Sequence, residues 1–200
     1  MPFTDLKKKL ESNGFAVSTF STGEEAAAYL NREIDKKTVG MGGSMTLAEL
    51  GLKESLAKHN VVFSHGFTPC DPRETQALAA QAEIYLLSAN AIAADSGEIL
   101  NIDGTGNRVA SSLFGHKKVY FIAGKNKISP DFHTALHRLR NVVAPKNAQR
   151  LGRKTPCALR GDRCYDCDSP ERICRGLVVH YRPMNQMEAE VVLIDQELGY

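Results

Sequence analysis

Short apolar runs alternate along this chain with segments carrying helix start and stop signals, and that alternation restricts the fold more than any other feature. PheAlaValSerThrPhe (15–20), LysThrValGlyMet (37–41), ValValPhe (61–63), IleTyrLeuLeuSer (84–88) and ValTyrPheIleAla (119–123) read as strands. The sequence between them is helical. A first helix is expected over Asp5–Asn13, with Thr4 as N-cap and Gly14 at its stop. Thr22 and Glu25 stand in capping-box spacing ahead of EEAAAYLNREI. Helical sequence resumes near Thr46, and Asp71-Pro72 supplies an N-cap followed by a first-turn proline. Consecutive strands joined by helices run parallel, because the crossover returns the chain to the same end of the sheet. The expected architecture is α/β: a mainly parallel central sheet with helices on both faces, formed by residues 1–200 as one domain.

The second half departs from this rhythm. AsnAlaIleAlaAla (90–94) and GluIleLeuAsnIle (98–102) flank Ser96-Gly97 and read as a hairpin. A helix is expected over Asp131–Val143, ended or kinked by Pro145. LeuValValHisTyr (177–181) and GluValValLeuIleAsp (190–195) read as a terminal antiparallel pair, preceded by a cysteine-rich insertion over residues 155–176.

That insertion holds Cys157, Cys164, Cys167 and Cys174, spaced C-x6-C-x2-C-x6-C, and elsewhere the chain has only Cys70. So polar a stretch has few apolar side chains with which to fix a shape. Four thiolates can close a tetrahedral zinc site or hold an iron–sulfur cluster. Structural zinc commonly uses two C-x-x-C knuckles and this loop has one, which favours a [4Fe–4S] cluster over zinc; disulfides or free thiols are the alternative. The N-terminal MPFTDLKKKLESNGF lacks the apolar core of a secretory signal, and no apolar run approaches the roughly 18 residues of a membrane span. A cytoplasmic protein with no membrane partner is expected. In that compartment clustered cysteines more often bind metal or do redox chemistry than crosslink.

Net charge is only +2, but from Arg138 to Arg163 there are eight Lys or Arg against one acid, Asp162. Such a run is a solvated face, a counter-charge for thiolates, or a nucleic-acid patch. The chain has no Trp and few aromatics among these cations, which argues against nucleic acid as a partner.

Two glycine-rich segments follow strands. The first carries Gly40, Gly42, Gly43, Ser44 and Thr46. Glycine lets backbone turn sharply and approach an anion, and hydroxyls add donors. The plainer alternative is a tight turn capped by Ser44 or Thr46. The second segment carries Asn90, Asp95, Ser96, Gly97, Asp103, Gly104, Gly106, Asn107 and Arg108 among small residues. Arg108 offers a planar fork for a carboxylate or phosphate. Asp103 or Asp95 suits a general base or nucleophile. An Asp103-Gly104 turn and an Asx cap at Asn107 are the plainer readings. An anion site is expected with Gly42–Thr46 facing Asn107 and Arg108. His133 and His137 share one helical face, read as exposed rather than metal-binding. Cys70 precedes a helix start, where a thiol pKa can fall, but an ordinary thiol is the preferred reading.

Taken in order, VGMGGSMTLAELG, SANAIAADSGEI and DGTGNRVASS resemble the lactate-utilisation (LUD) domain family, and the similarity spans essentially the whole chain. That family is similar in turn to the superfamily of ribose-5-phosphate isomerase, glucosamine-6-phosphate deaminase and coenzyme A transferases. The resemblance implies a cleft in which the first glycine-rich turn holds a phosphate-bearing cofactor or substrate, with Asn90–Gly97 and Asp103–Arg108 at its mouth. It also implies work beside iron–sulfur redox partners in the oxidation of lactate to pyruvate. Many such domains lack a four-cysteine tail. Coenzyme A transferases place a glutamate nucleophile in a glycine-rich turn, and the nearest acid here is Asp103. Three functions therefore compete. One is an accessory protein of organic-acid redox metabolism that binds a small anionic metabolite. The second is a stand-alone isomerase or acyl/coenzyme A transferase, and the third a thiol or metal redox sensor acting through Cys164 and Cys167.

Overall fold

The computed structural model describes residues 3–200. The chain runs α1 (Thr4–Ser12), β1 (Ala16–Phe20), α2 (Gly23–Glu33), β2 (Thr38–Met41), α3 (Met45–Glu49), α4 (Leu52–Leu56), β3 (Val61–Ser64), α5 (Pro72–Ala80) and β4 (Ile84–Ser88). It continues through β5 (Ala91–Ala93), β6 (Ile99–Asp103), α6 (Asn107–Leu113), β7 (Lys118–Gly124), β8 (Ile128–Ser129), α7 (Phe132–Arg138), α8 (Ala144–Arg150), α9 (Pro156–Arg160), β9 (Gly176–His180) and β10 (Glu188–Ile194). Among the described residues six strands form an all-parallel sheet in the order β1-β10-β7-β4-β2-β3. A smaller sheet, β8-β5-β6-β9, mixes one parallel pairing with two antiparallel ones.

The parallel sheet is buried on both faces, and its strands are apolar on both. In β7, Val119, Phe121 and Ala123 pack with Leu10, Phe15 and Leu87. Tyr120 and Ile122 point the other way, to Leu30, Met41 and Leu86. Successive strand residues face opposite sides, so a strand with protein on each side needs apolar residues at every position. α2, α3 and α4 cover one face through Ala26, Leu30, Leu47, Leu52 and Leu56. α1, α5 and the β5–β6 hairpin cover the other through Leu6, Leu10, Ala79, Ile92 and Ile99. α7 seals the far side of the hairpin, with Ala135 and Leu139 on Ala91, Ala93 and Leu100.

Several local signals act as expected. Thr22 and Glu25 form a complete capping box on α2, and the Asp71 side chain accepts from the Arg73 and Glu74 amides at the start of α5. Two expectations are corrected and one is narrowed. α1 begins at Thr4 itself, with Phe3 in the cap position and no side-chain cap. Of the two outcomes expected at Pro145, an ended helix does not occur. α7 widens into a π-helical turn over Leu139–Val143, and α8 continues from Ala144 with the proline in its first turn. The missing proline amide is tolerated there because the hydrogen-bond ladder has already shifted register. The terminal strands are not partners. β9 joins β6 at the edge of the small sheet, whereas β10 lies between β1 and β7 in the parallel sheet. Every β10 residue from Ala189 to Ile194 is buried, which suits a central strand and not half of an exposed hairpin.

One buried charge sits in that central strand. Glu190 accepts from Ser18 Oγ and Tyr29 Oη, each at 2.7 Å, and pairs with Lys118 Nζ at 2.7 Å. Burial opposes its ionisation, but these three donors prevail and hold the carboxyl below its usual range.

Candidate functional site

A cleft of about 490 Å³ opens at the carboxyl ends of β2, β4 and β7. From β2 the chain proceeds to β3 on one side and returns to β4 on the other. Connections that diverge in this way leave a crevice at the strand ends of an open α/β sheet. The volume is ordinary for a small-molecule site.

The first wall is Gly42-Gly43-Ser44, directly after β2. A Cβ on Gly42 would collide with the aliphatic stem of Arg108 and come within 3.0 Å of the Tyr85 hydroxyl. Glycine at 42 is thus what lets Arg108 cross this turn. Gly43 faces open space, so its backbone is accessible from the cleft. Ser44 caps α3 by accepting from the Leu47 amide at 3.3 Å, and its hydroxyl meets Ser88 Oγ at 3.0 Å. Two residues expected here serve packing instead. Gly40 lies under α5, where a Cβ would strike the Ala79 carbonyl and the Tyr85 ring. Thr46 is buried and donates to the Leu198 carbonyl at 3.3 Å.

The opposite wall is the loop from β6 into α6. Asp103 is 7% exposed. Its Oδ1 accepts from the Thr105 and Gly106 amides at 3.0 and 3.1 Å, and its Oδ2 accepts from Arg108 Nε at 2.9 Å. Arg108 Nη2 donates to the Ile102 carbonyl at 2.8 Å, leaving Nη1 without a partner among the described residues. The turn and the site are therefore one object: Asp103 folds the loop and, with both oxygens engaged, fixes the guanidinium. Gly106 adopts φ +91°, a left-handed conformation that a side chain would strain. Asn107 also lines the cleft. Asn90 lies at its edge, where its amide donates to Asn101 Oδ1 and its Oδ1 accepts from the Ile102 amide, both at 2.9 Å.

Asp95, Ser96 and Gly97 are elsewhere. Asp95 is exposed on the hairpin turn, the Ser96 carbonyl accepts from Asn13 Nδ2 at 2.8 Å, and Gly97 packs against α1. None of the three lines the cleft. His133 and His137 are exposed on α7 as expected. Cys70 takes the plainer of its two readings: residual desolvation and the Glu74 and Asp71 carboxylates push its thiol up.

Charge is the property the motifs left out. Six cations line the cleft, Arg108, Lys127, Arg150, Arg153, Arg172 and Arg175, against two carboxylates, Asp103 and Glu171. Arg150 and Arg153 come from the basic run noted in the sequence, which locates part of that run at a site. Lys127 is the least accessible of the six, 2% exposed, and burial with the nearby Arg138 pushes its amine down to about 7. The Tyr85 hydroxyl, also in the wall, is pushed up by burial to about 12. No local motif marks Lys127; it closes the 3₁₀ turn Lys125–Lys127 after β7, and the C-terminal segment comes close to it, a Cβ on Gly199 lying 3.3 Å from its Nζ.

The cysteine segment forms the third wall. A Cβ on Gly104 would lie 2.7 Å from the Ile173 carbonyl, and the Arg175 amide donates to the Asp103 carbonyl at 2.9 Å. Two of the four sulfurs meet guanidinium groups, with Arg172 Nε 3.1 Å from Cys174 Sγ and Arg140 Nη2 3.8 Å from Cys164 Sγ. The Asp166 amide donates to Cys164 Sγ at 3.3 Å, with Asp166 in a left-handed conformation at φ +45°. All four are free thiols, and no three His, Cys, Asp or Glu side chains among the described residues converge as a metal-ligand set. The donor set of a shared zinc or cluster is not drawn together in this arrangement.

Among the described residues no helix is long and apolar enough to cross a membrane. No curated protein matches the chain. Among solved structures it is similar to a DUF162 family protein from Deinococcus radiodurans, with a TM-score of 0.55 and 13% identity over 95% of this chain and 94% of that one. At that identity the likeness concerns the fold alone. A ribose 5-phosphate isomerase A from Neisseria gonorrhoeae matches with a TM-score of 0.35 and 16% identity, over 54% of this chain and 52% of that one. The family model of the LUD domain matches residues 3–194.

Proposed function

This chain belongs to the LUD domain family, which is linked to lactate utilisation, and from that premise we propose that its cleft binds a small anionic metabolite of organic-acid metabolism. The observation that carries the reading is the imbalance of six cations over two carboxylates around a 490 Å³ cavity. Two of those cations already have partners, Arg108 in Asp103 and Arg172 in Asp166, and the rest of the surplus is open to a ligand. A carboxylate or phosphate answers that surplus with charge-assisted hydrogen bonds. Arg108 is its outer anchor, with Gly43, Ser44 and Asn107 completing the rim. The size also admits a phosphate-bearing organic molecule such as a sugar phosphate. Asp103 serves here as a positioning residue, and turnover as an isomerase or transferase is the competing reading.

The test is calorimetric titration with pyruvate, lactate and ribose 5-phosphate. Arg108→Ala is expected to weaken the bound compound by about 1.5–3 kcal/mol, the range for charged hydrogen bonds. Because that change also strips Asp103 of its partner, the Arg108→Ala/Asp103→Asn double variant is the stability control. Unchanged affinity in both variants contradicts the reading. For the cysteine segment we propose a thiol or metal centre, supported by the guanidinium groups at Cys164 and Cys174. A shared zinc or [4Fe–4S] cluster requires the loop to rearrange. Anaerobic purification followed by iron and zinc analysis decides it, and metal-free protein that keeps its stability and binding in Cys164→Ser removes this second reading.

A further inference from the structure

The floor of the cleft carries positive charge that the protein does not neutralise. Lys127 is 2% exposed and lines the cavity, yet among the described residues its ammonium makes neither a hydrogen bond nor an ion pair. The charged groups that act on it are Arg138 on α7, Glu49 on α3 and Arg108 on α6. Glu49 is the one acid among them, and its Oε2 instead accepts from the Gly199 amide at 2.7 Å. The segment that takes Glu49 away also passes close to the lysine. Leu198 and Gly199 are tied to Asn126, and a Cβ on Gly199 would lie 3.3 Å from Lys127 Nζ. Near the lysine, off the cleft wall, Nε and Nη2 of Arg138 are buried with no acceptor among the described residues.

Buried donors are normally paired, and a buried charge left alone is among the costlier features a fold can hold. Of the two cations, Arg138 carries the fully buried unpaired donors, whereas Lys127 Nζ opens on the cleft, and their charges repel. Burial at a cleft floor is accounted for when an anion from outside supplies the missing acceptor. We propose that Lys127 receives the carboxylate or phosphate of the bound molecule at the floor of the cleft, with Arg138 near it as a second unneutralised charge. This rests on the anion-binding reading above and specifies where the anionic group sits. Arg108 then holds the rim and Lys127 the floor. In the empty cleft near neutral pH the lysine amine is partly deprotonated, because burial and Arg138 push it down to about 7. An arriving anion stabilises the ammonium, so the amine takes a proton from solvent as the complex forms.

Calorimetric titration of the full chain with pyruvate and with inorganic phosphate, at about pH 8 in two buffers of different ionisation heat, tests this directly. Wild type is expected to take up a fraction of a proton per anion bound. Lys127→Met is expected to bind roughly ten- to a hundredfold more weakly and to take up none. Lys127→Arg is expected to keep most of the affinity without the uptake, a separation that a merely structural lysine does not produce. Thermal unfolding of each variant verifies folding. Which probe binds decides between carboxylate and phosphate. If wild type binds an anion and Lys127→Met binds it equally with the same proton uptake, the assignment of Lys127 falls and the anion cleft stands. If wild type binds neither probe, the assignment of Lys127 falls, and the titrations with lactate and ribose 5-phosphate decide the anion cleft.

Discussion

Gly42 and Arg108 act as one device, since the arginine stem occupies the space a side chain at 42 would need. Gly42→Ala is therefore expected to displace Arg108, to lose ligand affinity as Arg108→Ala does, and to cost about 1–3 kcal/mol of stability, the usual penalty for overpacking. Urea unfolding and the same titrations measure the two effects. Lys127 gives a second residue-scale expectation. Its folded-state pKa of about 7 lies below the unfolded value of 10.5, so above pH 7 the unfolded chain binds more protons than the folded one. Stability then rises with pH between about 7 and 10, with a slope contribution of at most about 1.4 kcal/mol per pH unit. The cost is fully present below pH 7. Lys127→Met is expected to remove that slope; an unchanged profile argues that the lysine is solvated. The contrast between the two residues explains what was legible. Gly42 announces itself because glycine after a strand is a backbone statement. Lys127 does not, because neighbours such as Gly199, beside its Nζ, are distant in sequence.

The same division holds for elements. β1 to β4 and β7 were readable from apolar runs separated by caps, because a strand buried on both faces leaves that trace locally. The partners of β9 and β10 were not. Pairing is a long-range choice, and a short spacer makes two strands look like a hairpin whatever they pair with. The cleft motifs divide likewise: Asp103–Arg108 fold into the wall, whereas Asp95–Gly97, equally polar, serve a turn against α1. Glu190 sits buried in β10 among polar donors. Its donors on β1, α2 and β7 make it a clasp between elements. Glu190→Ala leaves Lys118 and Tyr29 without their partner and is expected to cost about 3 kcal/mol, the lower end for a broken buried pair because Lys118 is partly solvated. Urea unfolding measures it. The folded-state carboxyl lies below its unfolded value, so its contribution is present above the ordinary carboxylate range and is lost as pH falls through the lowered folded pKa. In Glu190→Gln that part of the acid-induced loss is expected to vanish.

Across the whole molecule, the parallel sheet sets where the cleft opens, the β6–α6 loop sets a guanidinium at that place, and the cysteine segment closes the third side. The contact of Ile173 with Gly104 ties the thiol region to the cleft wall. The account stands or falls on anion binding in this cleft. Its most direct measurement is the affinity of the full chain for pyruvate, lactate and ribose 5-phosphate by calorimetry, beside Arg108→Ala. Saturable binding of at least one compound, weakened roughly ten- to a hundredfold in the variant, is the predicted result. Binding to none of them, or equal binding by both proteins, contradicts it.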